Sequence, residues 1–429
     1  MIAAESRLVI AVQPWMIADA TRRVMAALVE ARFVGGCVRD AVLALPASDI
    51  DIATPHQPAA VMERLQAAGL RVIPTGIKHG TVTALVDAAK FEITTLRRDV
   101  ACHGRHAEIA FTDDWHVDAA RRDFTINALS CTADGTLYDP FGGVADLKAG
   151  RVRFIGSAVD RICEDVLRLL RFFRFYARFG RGDADAEALT ACRDLASLLP
   201  SLSAERVRSE LLRLLAQSRC DEVWSMIAGC GILPHLLPTA TRVPRLKTLV
   251  RLEHTLGLDG DERALVRLAA LLETNGYSGR DDALAVAGRL RLSKIERKRL
   301  LSLVAPAVKL SPLDEPQWLR RALVALGDTD LFRDLLLLSA AEEEYDGGAS
   351  LESISARLAW AERWRAGFCP VSGGDILALG VAAGPMVNEV LLQIAGWWAD
   401  NEFAPGREAC LNELARRLTP ESLPPKAYL

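Results

Sequence analysis

The sequence predicts an α+β fold: a mixed N-terminal head with a small β-sheet, followed by a remainder built from helices alone. Over roughly the first 155 residues, short β-type runs alternate with segments of helical spacing and are bounded by Gly, Pro and Asp. Beyond about residue 157 strand signals nearly vanish and amphipathic helical patterns continue to the end. At 429 residues the chain also exceeds one ordinary core, so two to four domains are expected.

The strands are expected at 33–36 (FVGG), 49–54 (DIDIAT), 70–75 (LRVIPT), 80–86 (GTVTALV), 90–96 (KFEITTL) and 136–141 (TLYDPF). Between them, 38–45 (VRDAVLAL), 58–69 (PAAVMERLQAAG) and 113–130 (DDWHVDAARRDFTINALS) have helical spacing. One continuous helix is expected over 159–179 (VDRICEDVLRLLRFFRFYARF), with further helices at 203–217, 221–237, 293–304, 386–403 and 407–418. No internal repeat or long Pro/Gly/Ser linker interrupts the chain.

Half the residues are apolar and a quarter charged, the composition of a soluble globular enzyme. The net charge of −3 announces no global basic field, although local basic surfaces can sit inside a neutral total. The nine cysteines are odd in number and never spaced CxxC, which argues against a zinc site or a disulfide framework and fits a reducing, cytoplasmic setting. The N-terminal residues lack a charged region followed by an apolar run, and no stretch reaches about 18 uninterrupted apolar residues. Neither a signal peptide nor a membrane span is expected.

The sharpest local feature is Phe33-Val34-Gly35-Gly36-Cys37-Val38-Arg39-Asp40, followed nine residues later by Asp49-Ile50-Asp51. The Gly pair falls where a strand ends and a helix begins, where bare backbone N–H groups can cradle phosphates. Arg39 lies in the first turns of that helix, within reach of a triphosphate. On a strand, Asp49 and Asp51 share one face, and two hard oxygen ligands side by side suit Mg²⁺, whose other ligands are water and substrate phosphates. Either motif alone reads better as a turn or a solvated strand face; together, in strand-helix-strand order, they indicate a metal-phosphate site.

Glu92 faces opposite to Phe91 and Ile93, so a neighbouring strand would set it beside the Asp pair as a second-metal ligand or proton acceptor. A solvated strand Glu is the alternative. In Arg121-Arg122-Asp123-Phe124, one Arg would clamp phosphates while Asp123 orients the other; read alone, these residues are better explained as a surface ion pair beside a buried helix. In Glu164-Asp165-Val166-Leu167-Arg168, helical spacing puts Asp165 and Arg168 on one face at i and i+3. Arg171, Arg174 and Arg178 follow, and residues 161–181 hold six Arg against two acids, a bias towards nucleotide or RNA contact over a plain amphipathic helix.

This set of motifs resembles the class II tRNA nucleotidyltransferase/poly(A) polymerase family of the polymerase-β-like superfamily. GGCVRD with DID resembles its catalytic motif, RRDFTINAL its ribose- and phosphate-contacting motif, and EDVLRLLRFFRF its nucleotide-selecting motif; TGIKHGTV (75–82) and YDPFGGVADLKAGRVRFIG (138–156) are lesser matches. The detailed similarity covers roughly residues 30–215. It implies that Asp49 and Asp51 bind catalytic Mg²⁺, that Gly35, Gly36 and Arg39 meet the nucleotide, and that Arg121, Arg122 and Asp123 handle its sugar and phosphates. Asp165 and Arg168 would select the base, with Arg171 assisting.

The resemblance further implies a head (1–156), a neck (157–220), a body (221–330) and a tRNA-binding tail (331–429). It implies CTP and ATP as substrates and the 3′ end and acceptor stem of tRNA as partner, with CCA as the added sequence. A poly(A) polymerase shares every catalytic motif and is the alternative, as is an inactive RNA-binding scaffold. TGIKHGTVT and a polar, flexible-looking loop between Arg97 and Asp118 resemble the CCA-adding form. Some relatives carry a C-terminal phosphohydrolase domain with His-Asp metal ligands; none is expected here, because no His follows His254. The Arg- and Lys-bearing helix 293–304 reads as a solvated face or an RNA-facing one. Oligomeric state is left open.

Overall fold

Ile52 and Ile93 are fully buried and lie opposite one another on neighbouring strands, so the alternation in DIDIAT and KFEITTL is that of a sheet with one face in a core. The computed structural model describes residues 8–47, 49–103, 106–258, 260–273, 276–311, 313–343, 350–363 and 369–418. It forms two units, Met1–Leu236 and Leu237–Leu429.

In the first unit the strands are β1 (Leu8–Val9), β2 (Arg32–Val34), β3 (Ile50–Thr54), β4 (Arg71–Gly76), β5 (Thr81–Val86), β6 (Ala89–Thr95), β7 (Arg97–His103), β8 (His106–Phe111), β9 (Ser130–Cys131) and β10 (Thr136–Tyr138). Eight of them make one sheet in the order β1-β10-β9-β2-β3-β6-β5-β4, and β7 and β8 pair separately. The pairing of β3 with β6 is parallel, while its neighbours are antiparallel. The mixed sheet followed by helices matches the α+β expectation.

The helices of this unit are α1 (Asp19–Leu28), α2 (Gly36–Val42), α3 (Pro58–Ala67), α4 (Trp115–Ala120), α5 (Gly143–Ala149), α6 (Ala158–Glu164), α7 (Leu167–Phe179), α8 (Ala186–Asp194), α9 (Ala204–Leu215), α10 (Cys220–Gly229) and α11 (Leu233–Leu236). Helix α7 buries Leu169, Leu170, Phe172 and Phe173 and packs against α9 and α10. Phe124 is joined to it edge-on by Phe175 at 5.3 Å and contacts Phe154 at 4.8 Å. That aromatic cluster fastens the RRDF segment onto α7.

Three local expectations are corrected. The helix read over 113–130 ends at Ala120. Phe124 is extended and Asp123 accepts its N–H at 2.9 Å; a 3₁₀ turn (Thr125–Asn127) and β9 follow. A short polar side chain bonding its neighbour's backbone competes with helix. The continuous helix over 159–179 is broken at Asp165, whose backbone is extended (φ −150°, ψ 103°). Its carboxylate accepts the Leu167 N–H at 3.2 Å, so α7 restarts there. The polar stretch between Arg97 and Asp118 is not a loop among the described residues: β7 and β8 pair from Arg97↔Phe111 to His103↔His106, and α4 follows. Residues 104 and 105 at its tip lie outside the described residues.

The second unit is helical: α12 (Val243–Thr255), α13 (Ala264–Ala270), α14 (Gly276–Arg289), α15 (Lys294–Val304), α16 (Pro316–Leu326), α17 (Thr329–Glu343), α18 (Leu351–Arg363), α19 (Gly373–Ala378), α20 (Pro385–Asp400) and α21 (Arg407–Arg417). Its last helices enclose a small core of Ile376, Ile394, Trp398, Cys410 and Leu414. Among the described residues no helix is long and apolar enough to cross a membrane.

Candidate active site

Parallel pairing of β3 and β6 aligns Asp51 with Glu92. Partners in register share a face, so both carboxylates leave the sheet on the side opposite Ile52 and Ile93. Asp49 precedes β3 and is exposed. Burial raises the pKa of Asp51 from its ordinary value, and the charges of Glu92 and Asp49 add to it against the pull of Arg122. Three neighbouring acids are thus held against mutual repulsion, with Lys90 bonding Glu92 at 2.6 Å as a local counter-charge. No group of three or more His, Cys, Asp or Glu side chains among the described residues is arranged as a metal cage. Mg²⁺ asks for less, taking one or two carboxylates with substrate phosphates completing its shell. Asp49, Asp51 and Glu92 fit that donor set.

Asp51 opens into a cleft of about 580 Å³ within the first unit. Gly35, Gly36, Arg39, Arg121, Arg122, Asp123, Asp165, Arg168 and Arg171 line it as well; Asp49 and Glu92 stand outside its lining. Gly35 has φ +71°, and a Cβ there would lie 3.0 Å from the Arg122 Nη1, so both backbone and space call for glycine. Eight arginines against three aspartates face the cleft, which suits a polyanion.

The arginines are held by partners that differ from the expected ones. Asp123 orients neither Arg121 nor Arg122. Its carboxylate receives Arg171 Nε at 2.7 Å and Asn127 Nδ2 at 2.9 Å. Burial alone would raise the Asp123 pKa, but Arg171 and these hydrogen bonds leave it lowered. Asp118, within α4, does the orienting: it accepts from Arg121 at 2.7 Å and Arg122 at 3.3 Å. Its pKa is lowered too, since these two cations outweigh its desolvation. Arg39 is buried and engaged with Asp40 at 2.8 Å and Asn127 Oδ1 at 2.7 Å, 4.4 Å from the Phe179 ring centroid.

Asp165 and Arg168 do not share a helix face, because Asp165 sits in the break between α6 and α7. Both still line the cleft, each with its own support. Arg206 of α9 reaches the Asp165 oxygens at 2.7 and 3.0 Å. Arg168 donates to Glu164 at 2.5 Å and to the Arg161 and Arg121 carbonyls at 3.0 and 3.1 Å.

Sequence reasoning missed Asp118, Asn127, Arg206 and Arg213 as parts of the site. One signal was readable: Arg206, Glu210 and Arg213 recur at i, i+4 and i+7, on the face next to the apolar positions Val207, Leu211 and Leu214. Glu210 is buried and accepts from Arg174 at 2.5 Å.

Comparison with known proteins gives matches along the chain. A family model described as "Poly A polymerase head domain" matches residues 31–153. A second, "Probable RNA and SrmB- binding site of polymerase A", matches residues 184–243. The chain is 34% identical over 401 residues to the mitochondrial CCA tRNA nucleotidyltransferase 1 of Mus musculus, covering 90% of this chain and 87% of that protein. It is 40% identical over 195 residues to the CCA-adding enzyme of Latilactobacillus sakei, covering 45% of this chain and 48% of that one. Its fold is similar to the crystal structure of the Bacillus stearothermophilus CCA-adding enzyme in complex with CTP, with a TM-score of 0.72 at 25% identity over 94% of this chain and 98% of that one.

Proposed function

Since the chain belongs to the CCA-adding enzyme and poly(A) polymerase family, we propose that it adds CCA to the 3′ end of tRNA from CTP and ATP without a nucleic-acid template. The reaction is attack of the RNA 3′-hydroxyl on the α-phosphate, with pyrophosphate leaving. The observation that carries the reading is the alignment of Asp51 with Glu92 beside a cleft lined by Asp165, Arg168 and Arg171. In this reading the head is 1–156, the neck 157–220, the body 221–330 and the tail 331–429.

Asp49 and Asp51 are the residues that would hold Mg²⁺, and Glu92 stands where a third carboxylate would help or take up the hydroxyl proton. Bound there, Mg²⁺ supplies Lewis-acid stabilisation of charge on the transferring phosphate and the leaving pyrophosphate. Arg121 and Arg122, held by Asp118, turn their remaining donors to the triphosphate; Gly35 and Gly36 let it approach the backbone. Arg171, held by Asp123, adds positive charge at the sugar end.

Base choice follows from donors and acceptors. Cytosine and adenine each present an exocyclic amine beside a ring-nitrogen acceptor, which a carboxylate and a guanidinium satisfy. Uracil and guanine present a carbonyl and an N–H instead, leaving buried polar groups unpaired at about 1–3 kcal/mol each. Asp165, braced by Arg206, and Arg168, braced by Glu164, are oriented before a base arrives. Replacing Asp165 by Ala and Arg168 by Leu is expected to erode discrimination against UTP and GTP by about ten- to a hundredfold. Single-nucleotide incorporation kinetics measure this, and unchanged nucleotide choice would assign base reading to another element.

The overall reading is tested with a tRNA transcript lacking its 3′ CCA, supplied with Mg²⁺ and each nucleotide separately and together. Growth by three residues, requiring CTP before ATP and then stopping, is the expected result. A long ladder with ATP alone would make the chain a poly(A) polymerase, and no extension would favour an RNA-binding scaffold.

A further inference from the structure

Away from the catalytic cleft, the head has a second cavity of about 800 Å³, whose lining includes Arg32, Trp115, His116, Ser130 and Tyr138. Its floor is one face of three neighbouring strands. In the register of β2, β9 and β10, Val34 opposes Ser130 and Ser130 opposes Tyr138, so Arg32, Ser130 and Tyr138 project to the same side. Helix α4 supplies the wall through Trp115 and His116.

Arg32 is the unusual member. Its guanidinium carbon lies 4.1 Å from the Trp115 ring centroid and 3.6 Å from that of Tyr138. The rings hold the plane of the guanidinium, but aromatic faces take no N–H in the plane. No carboxylate or carbonyl among the described residues accepts from Arg32. Asp139, the acid on the cavity rim, is committed to the N–H groups of Gly143 and Val144 at 2.7 and 2.9 Å. The Ser130 hydroxyl, in a residue only 7% exposed, likewise has no partner among the described residues. Arg32 is partly desolvated, which lowers its pKa, yet a guanidinium remains charged at neutral pH.

A caged, charged fork with its in-plane donors unused, beside an unused hydroxyl and an imidazole, has the donor set of an oxyanion receptor. We propose that this cavity binds a phosphate group at Arg32 and Ser130, independently of the catalytic cleft. A tetrahedral oxyanion takes the fork through two oxygens and has others left for Ser130 and His116. The phosphate belongs either to a small molecule, such as pyrophosphate, or to an RNA strand.

The test is ¹⁹F NMR on protein labelled with 5-fluorotryptophan, following the Trp115 resonance assigned through Trp115→Phe. Inorganic phosphate, pyrophosphate, acetate and a tRNA transcript lacking CCA are titrated separately. A saturable shift with phosphate or pyrophosphate, weakened about tenfold or more in Arg32→Gln and retained in Arg171→Ala, is the expected result for a small-molecule ligand. A shift with the transcript alone, showing the same dependence on Arg32, supports the proposal with RNA as the source. Absence of any shift, a shift indifferent to Arg32, one lost in Arg171→Ala, or equal response to acetate would each overturn it. If Arg32→Gln fails to fold, Ser130→Ala keeps the question open to refutation: it should weaken phosphate binding severalfold, and unchanged affinity rejects the site.

Discussion

Asp51→Ala is expected to reduce incorporation of both CTP and ATP by about a thousandfold or more, since it removes the residue on which the proposed metal and the α-phosphate converge. The head should stay folded, and the reason is electrostatic. Asp51 is partly buried among like charges, and its pKa is raised by desolvation first and by Glu92 and Asp49 after that. A carboxyl whose folded pKa lies above its unfolded value of about 3.9 binds more protons in the native state through that interval. Stability therefore falls as pH rises from the unfolded pKa through the folded one, and at neutral pH the ionised Asp51 is a net cost. Asp51→Asn should accordingly be as stable as the parent or more so at pH 7, with the difference vanishing below about pH 3.9. Thermal melts at the two pH values, run beside the incorporation assay, separate a lost active site from a lost fold. Retained incorporation of either nucleotide would remove Asp51 from the metal site.

Glu253→Ala is expected to lower the stability of the helical second unit by about 3–5 kcal/mol, with the chemistry of the head untouched. Glu253 of α12 is completely buried and accepts from Arg263 at 2.8 Å and from Arg267 of α13 at 2.7 Å. Arg263 continues to Asp334 of α17 at 2.5 Å, where Arg299 of α15 also bonds. Four segments are joined through charges that have no water to fall back on. Removing the glutamate takes a carboxylate away from two buried guanidiniums in a low-dielectric interior, and that penalty exceeds the worth of the lost bonds. The double change Glu253→Leu with Arg267→Leu should therefore cost less than Glu253→Leu alone, because Arg263 keeps Asp334. Denaturant titration of the three variants measures the order, and a double variant weaker than the single one would mean the cluster contributes through its shape and packing.

Strands β2 to β6 and β10 were legible because each carries its evidence locally. DIDIAT and KFEITTL alternate, with Ile52 and Ile93 on the buried face, and the structure places β3 and β6 there. Helix ends were less legible where one side chain outcompeted a helical pattern. Asp165 lies within twenty-one residues of strong helical periodicity, and nothing local distinguishes it from a residue in mid-helix. Its role in ending α6 depends on bonding to Leu167 and to Arg206, forty-one positions away. Likewise β7 and β8 read as a polar loop because Arg, Asp, Glu and His interrupt their short apolar runs, whereas pairing between them satisfies their backbone.

The sequence by itself determined the division into mixed head and helical remainder, the Gly-Gly turn ahead of a helix, and the face of the strand on which Asp51 lies. These depend on periods of 2 and 3.6 residues and on the conformations open to glycine, all of which act over a few positions. Only the tertiary structure decided which acid serves which arginine and which carboxylates meet. Asp123 serves Arg171 rather than its neighbours Arg121 and Arg122, Asp118 takes those two, and Glu92 comes beside Asp51 only because β6 pairs with β3 in parallel at that register. Charged side chains carry no periodic signature of their partners, and their pairing is set by how buried strands and helices pack, so it is read only after the chain has folded.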